Sequence, residues 1–170
     1  MYITNYVKTL LIYVHGEYLR LNPPVLVDAT LIHRIIRLPM VGEDPAPLFA
    51  DNTTDKVVVA QSTTYYNLSR GKCALLVEGI KDKAVKFETQ LLAGKLLRHQ
   101  RPNQVSTSYI RAAENCAMGV TMSWAYFLVE EFQMDCLDAQ EKRSPFHYSW
   151  LLILIALMGW GEPTHSAFLP

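Results

Sequence analysis

No apolar run in this 170-residue chain is long enough to cross a bilayer. The longest, Trp150 to Trp160, is about half of the roughly 20 residues a span needs. Gly161-Glu162-Pro163 cannot extend it. Net charge is also missing: 16 Lys and Arg balance 16 Asp and Glu. A neutral chain has no overall field to draw in nucleic acid or anionic lipid. Cysteine is scarce. Cys73, Cys116 and Cys136 are three in number and widely spaced, which excludes a disulfide framework and fits a reducing compartment. The start lacks a secretory pattern, because Lys8 precedes only the short stretch Leu10 to Val14 before His15-Gly16-Glu17. The chain is therefore expected to be intracellular, nuclear or cytoplasmic. The sequons at Asn52 and Asn67 are expected to stay unused.

Signatures of chemistry are equally thin. A phosphate-binding loop needs Gly-x-x-x-x-Gly-Lys followed by Ser or Thr. Gly71-Lys72 has Tyr66 at the first place and Cys73 after it, and Gly94-Lys95 has Thr89 and Leu96, so both fail. No CxxC, HxxxH or HExxH offers paired zinc ligands. Cys116 and Cys136 sit on apolar helical patterns and read as core residues. No Gly-x-Ser-x-Gly elbow presents a nucleophile. His15, His33, His99, His147 and His165 are scattered, and His147 reads as a packed or capping residue. Glu131 and Asp135 share a helix face and read as a solvated acidic surface. These absences predict no catalytic residues, no metal site and no cofactor.

What is present is helical periodicity. Half of the residues are apolar and 19% are charged, the balance of a globular domain. Thr9–Val14 and Tyr18–Leu21 flank a glycine and predict a short hairpin ended by Pro23-Pro24. Asp28 suits an N-cap, and Leu31, Ile32, Ile35 and Ile36 form a helical stripe stopped by Pro39. Thr54–Ser62 is expected to be helical and Thr63–Lys72 a loop. From Asp82 a helix places Ala84, Phe87 and Leu91 on one side and Val85, Leu92 and Leu96 on the next. Pro102 ends it, Ser106 or Thr107 caps the next helix, and Gly119 closes that one. The longest helix is expected from Thr121 to about Gln140, with Ala125, Leu128, Val129, Phe132 and Cys136 inward. Ser144-Pro145 is an N-cap and N1 pair for the last helix. That helix is apolar all round and so should be enclosed, with Leu152, Ile153 and Ile155 against the Asp82 and Thr121 helices. The expected fold is mainly α: a compact helical domain with a buried C-terminal helix and a small N-terminal β-hairpin. One domain is expected over residues 1–170, looser over 1–80 and a helical core over 82–160.

Two stretches resemble a known family. Val14-His15-Gly16-Glu17-Tyr18-Leu19-Arg20-Leu21 leads to Asp28 through Leu38-Pro39 and Gly42. Leu92-Ala93-Gly94-Lys95-Leu96, Arg101-Pro102, Cys116 and Trp124 are followed by Phe146-His147-Tyr148-Ser149-Trp150 and the apolar run. Together they resemble the plant transposon protein domain of retroelement-derived reading frames, over roughly Val14 to Pro163. Where the family pattern carries a glycine before Leu-Pro, this chain has Ile36-Arg37-Leu38-Pro39. The resemblance implies a plant host and a mobile-element origin, and it carries no catalytic residues. The expected function is a non-enzymatic protein-association module, a relic or fragment of such an element, acting through a protein partner or itself. The alternative is a nucleic-acid-binding module using Lys95, Arg98 and Arg101. Those cations also complement the carbonyl end of their own helix. A small hydrolase with an unrecognised Ser or Cys nucleophile ranks third.

Overall fold

The fold is mainly α, with a small antiparallel sheet near the N-terminus. The computed structural model describes residues 2–49, 75–76, 82–92, 104–105 and 107–161. The expected Thr54–Ser62 helix and Thr63–Lys72 loop lie outside the described residues. In chain order the elements are α1 (Tyr2–Ile12), β1 (Val14–His15), β2 (Tyr18–Leu19), β3 (Val25–Leu26), α2 (Ala29–Ile36), α3 (Ala46–Phe49), β4 (Leu75–Leu76), α4 (Lys83–Leu91), β5 (Gln104–Val105), α5 (Thr107–Ala117), α6 (Trp124–Gln140) and α7 (Ser149–Gly161). The chain divides into two compact units: Met1–Leu38 with Leu128–Pro170, and Pro39–Phe127.

In the first unit the hairpin is present, but its arms differ from the expected ones. Val7 and Leu10 are buried a turn apart, and that helical spacing keeps the chain in α1 as far as Ile12. β1 and β2 are joined at Gly16, whose φ of +57° is cheap only for glycine. Pro23-Pro24 does not close the sheet. β3 follows at once and pairs with β2, Leu19 opposite Val25 and Tyr18 opposite Leu26. Alternation turns Val14 and Leu19 inward and leaves Tyr18 and Leu26 exposed.

α2 behaves as its sequence dictates. The Asp28 carboxylate accepts the Leu31 N–H at 2.7 Å, and Ala29, Leu31 and Ile32 are buried. Arg37 ends the helix at φ 61°, its N–H donating to the His33 carbonyl. An arginine thus takes the left-handed position for which the resembled pattern has glycine. His33 Nδ1–H donates to the Leu38 carbonyl at 2.6 Å, covering another chain end that the helix leaves open.

α7 buries Leu151, Leu152, Ile155 and Ala156 completely. Ile153, expected to join them, is half-buried. The helix packs chiefly on α1 and α2, where the periodicity points to the Asp82 and Thr121 helices. Gly159 permits this closeness: a Cβ there would lie 2.6 Å from Val25 Cγ2 and 3.0 Å from Leu21 Cδ1. The start of α7 also differs from expectation. It begins at Ser149, so Ser144-Pro145 caps nothing. The physical reason is Asp135, described below.

In the second unit α4 lies against α5, where Ala112 and Ala113 are fully buried and small enough to let a helix approach. Asp82 caps α4 by accepting from the Ala84 and Val85 N–H groups. Val85, Thr89 and Leu92 face inward, whereas Phe87 and Leu91, expected to pack, are exposed. Gly119, at φ +85°, follows α5 as expected. α6 starts at Trp124, not at Thr121. Glu43 and Met122 form a parallel bridge, and the Ala125 N–H donates to the Pro39 carbonyl at 3.0 Å. The residues before Trp124 are therefore held extended. Gly42, at φ +135°, lies so close to Thr121 that a Cβ would strike its carbonyl. Phe49, Trp124 and Phe127 stack nearby, with Phe49 and Phe127 centroids 5.0 Å apart.

Candidate functional site

The speculative cationic patch Lys95, Arg98 and Arg101 lies outside the described residues, as do Cys73 and His99. Among the described residues no three His, Cys, Asp or Glu side chains gather as a metal site would require. Neither described thiol is activated. Burial pushes the Cys116 thiol up, against a lowering by its hydrogen bond with Trp124 and with a smaller upward push from Glu88. Burial, reinforced by neighbouring Asp135, pushes Cys136 far above the ordinary thiol range. A thiol held protonated is neither a nucleophile nor a metal ligand.

The most concentrated polar arrangement is one the sequence reading did not find. Asp135 is 0% exposed, not part of a solvated acidic face. Its Oδ1 lies 2.8 Å from His147 Nδ1. Its Oδ2 accepts the backbone N–H groups of His147 at 2.6 Å and Tyr148 at 3.1 Å. Three donors thus converge on one carboxylate, which repays the desolvation that would otherwise forbid its burial. His147 does not sit in the first turn of the last helix but just before it. Asp135 therefore acts as a cap borrowed from α6: it holds His147-Tyr148 non-helical and sets where α7 begins. Helical spacing carries a signal for this, since Leu128, Phe132 and Asp135 fall on one face of α6 and the first two are buried.

An Asp-oriented imidazole is also the positioning half of a hydrolytic triad. Catalysis would need a cavity to hold a substrate beside it. The two described cavities are lined by neither Asp135 nor His147. The pair's geometry accounts for a structural bracket, with every named bond spent on positioning backbone.

The second feature is the outer face of α7. The four fully buried residues occupy one arc of the helix. Trp150, Ile153, Leu154 and Leu157 occupy the opposite arc, with Met158 at its flank. Leu157 is 55% exposed, and Trp150, Ile153, Leu154 and Met158 are half-buried. No polar side chain interrupts this arc between Trp150 and Met158. Elsewhere exposed apolar groups are scattered or interleaved with charge: Phe87 and Leu91 on α4 are flanked by Lys83 and Glu88. Single exposed apolar side chains are ordinary, but an uninterrupted apolar helix face is not.

Beside that face is a cavity of about 270 Å³. Pro23, Pro24, Val25, Leu26 and Leu31 form its apolar wall, Asp28, Thr30 and Arg34 its polar one, and Met158-Gly159 of α7 one side. A second cavity, about 110 Å³, lies between the β1–β2 hairpin and α6. Gln140 belongs to its lining and donates to the carbonyls of Leu11 and Val14, both at 2.8 Å. It ties down the end of α1 rather than presenting a free polar group.

No described helix is long and apolar enough to cross a membrane. No protein-family model, curated protein or solved structure matches this chain.

Proposed function

We propose that this chain is a non-enzymatic protein-association module whose binding face is the outer side of α7. The observation that carries the proposal is the uninterrupted apolar arc Trp150–Ile153–Leu154–Leu157, with Leu157 open to solvent. Covering exposed apolar area is worth about 25 cal/mol per Å², so such a face favours association wherever a complementary surface is offered. The high-lying thiols and the bracket role of Asp135 and His147 support a binding over a catalytic role. The resemblance to the plant transposon protein domain, which brings no catalytic residues, supports it as well.

The test is site-specific photocrosslinking in the host cell. Benzoylphenylalanine placed at position 157 is expected to give a covalent adduct with a protein. The same probe replacing Arg20, exposed on the same unit, is expected to give none. Absence of any protein adduct from position 157 would overturn the proposal.

A further inference from the structure

We infer that the partner seated on the outer face of α7 is a second copy of this chain, joined by a two-fold contact in which Leu157 of each copy enters the other's cavity beside Met158-Gly159. The inference rests on the association reading above and specifies its partner.

Three observations carry it. First, the projecting group and the recess lie on the same unit and at the same end of one helix. Leu157 is exposed, the next residue, Met158, lines the cavity, and so does Gly159. A protruding group and a matching recess far apart on a molecule generate open chains of copies. Side by side, they close under a two-fold axis, because each copy gives and receives the same contact. Second, the shapes and polarity agree. A branched aliphatic side chain meets a wall of Pro23, Pro24, Val25, Leu26 and Leu31, in a recess of about 270 Å³. Third, charge permits self-contact. The chain carries no net charge, and none of the residues from Trp150 to Gly161 is ionisable. Bringing two such faces together buries no like-charge pair, the usual obstacle to contact between identical surfaces. A neutral arc offers nothing to a nucleic acid, and it lacks the basic flank that steers an amphipathic helix onto anionic lipid.

The experiment uses the full chain in sedimentation velocity over micromolar to millimolar concentration. The wild type is expected to move from the mass of one chain to that of two as concentration rises. Leu157→Lys removes the projecting group and Thr30→Trp fills the recess. Each is expected to weaken dimerisation about 30-fold or more, the size of effect seen for central interface residues. Both positions are exposed, and circular dichroism checks that each variant keeps its helices. The decisive sample is an equimolar mixture of the two variants. A mixed dimer retains one intact contact, Leu157 of the Thr30→Trp chain in the open recess of the Leu157→Lys chain, and so should form more readily than either variant alone. A mixture no more associated than its components overturns the inference, as does a wild type that stays at single-chain mass throughout. A crosslinked adduct from position 157 whose mass is not twice that of the chain would leave the association reading standing and remove the second copy. Co-sedimentation of the single chain with phosphatidylcholine vesicles, lost in Leu157→Lys, would overturn the inference in favour of a lipid surface.

Discussion

α2 and α7 belong to the same unit and pack on each other, yet they are built on opposite plans. α2 is amphipathic: Leu31 and Ile32 face in, Thr30 and Arg34 face out, and Asp28 just before its start supplies the cap. α7 has no polar side chain between Trp150 and Met158, and its cap is borrowed from Asp135, thirteen positions before Tyr148. In α2 the sequence alone says which side is buried and where the helix begins. In α7 it says neither. A helix apolar all round can be read as enclosed, but here one arc is fully buried and the other is open at Leu157. The lesson is that uniform hydrophobicity marks two surfaces with different duties, one internal and one facing outward.

The comparison is broken most severely from the inner arc. Leu152→Ala removes a fully buried side chain from α7 and is expected to cost about 2–5 kcal/mol, read as a lowered midpoint in urea unfolding. A cost below about 1 kcal/mol would mean that the inner arc of α7 does not anchor this unit. The two caps come next and sharpen the contrast between the plans. Asp135→Ala leaves two backbone N–H groups and an imidazole without their acceptor, an expected loss of about 3 kcal/mol. Asp28→Ala removes one local acceptor at about 1 kcal/mol. Equal losses in the same unfolding measurement would show that the borrowed cap is no more than an ordinary one.

Residue by residue, the legible part of this molecule is what depends on near neighbours in sequence. The Asp28 cap and the stripe behind it, the Asp82 cap, Gly119 after α5 and the glycine at the hairpin turn all follow from spacings of a few residues. The illegible part depends on pairings across the chain. Trp124 rather than Thr121 opens α6 because Glu43 reaches Met122. Ser149 rather than Pro145 opens α7 because Asp135 reaches His147 and Tyr148. Both displaced starts were preceded by residues with good local capping chemistry, and a tertiary bond overrode each. The exposed side of α4 is a related case: Ala84, Phe87 and Leu91 have helical spacing equal to that of Val85 and Leu92, and only packing against α5 chooses between the two stripes. The candidate face was legible as an apolar run but not as a surface, because periodicity has nothing to report when every position is apolar.

The most direct test of the division of labour within α7 is a paired measurement on Leu157→Lys: unfolding midpoint and sedimenting mass on the same sample. At low concentration, where only single chains are present, the unfolding free energy should match wild type within about 0.5 kcal/mol, as for an exposed site, while at high concentration the mass stays that of one chain. A variant that unfolds several kcal/mol more easily while still pairing like wild type would contradict it, because the outer arc would then be holding the fold rather than the partner.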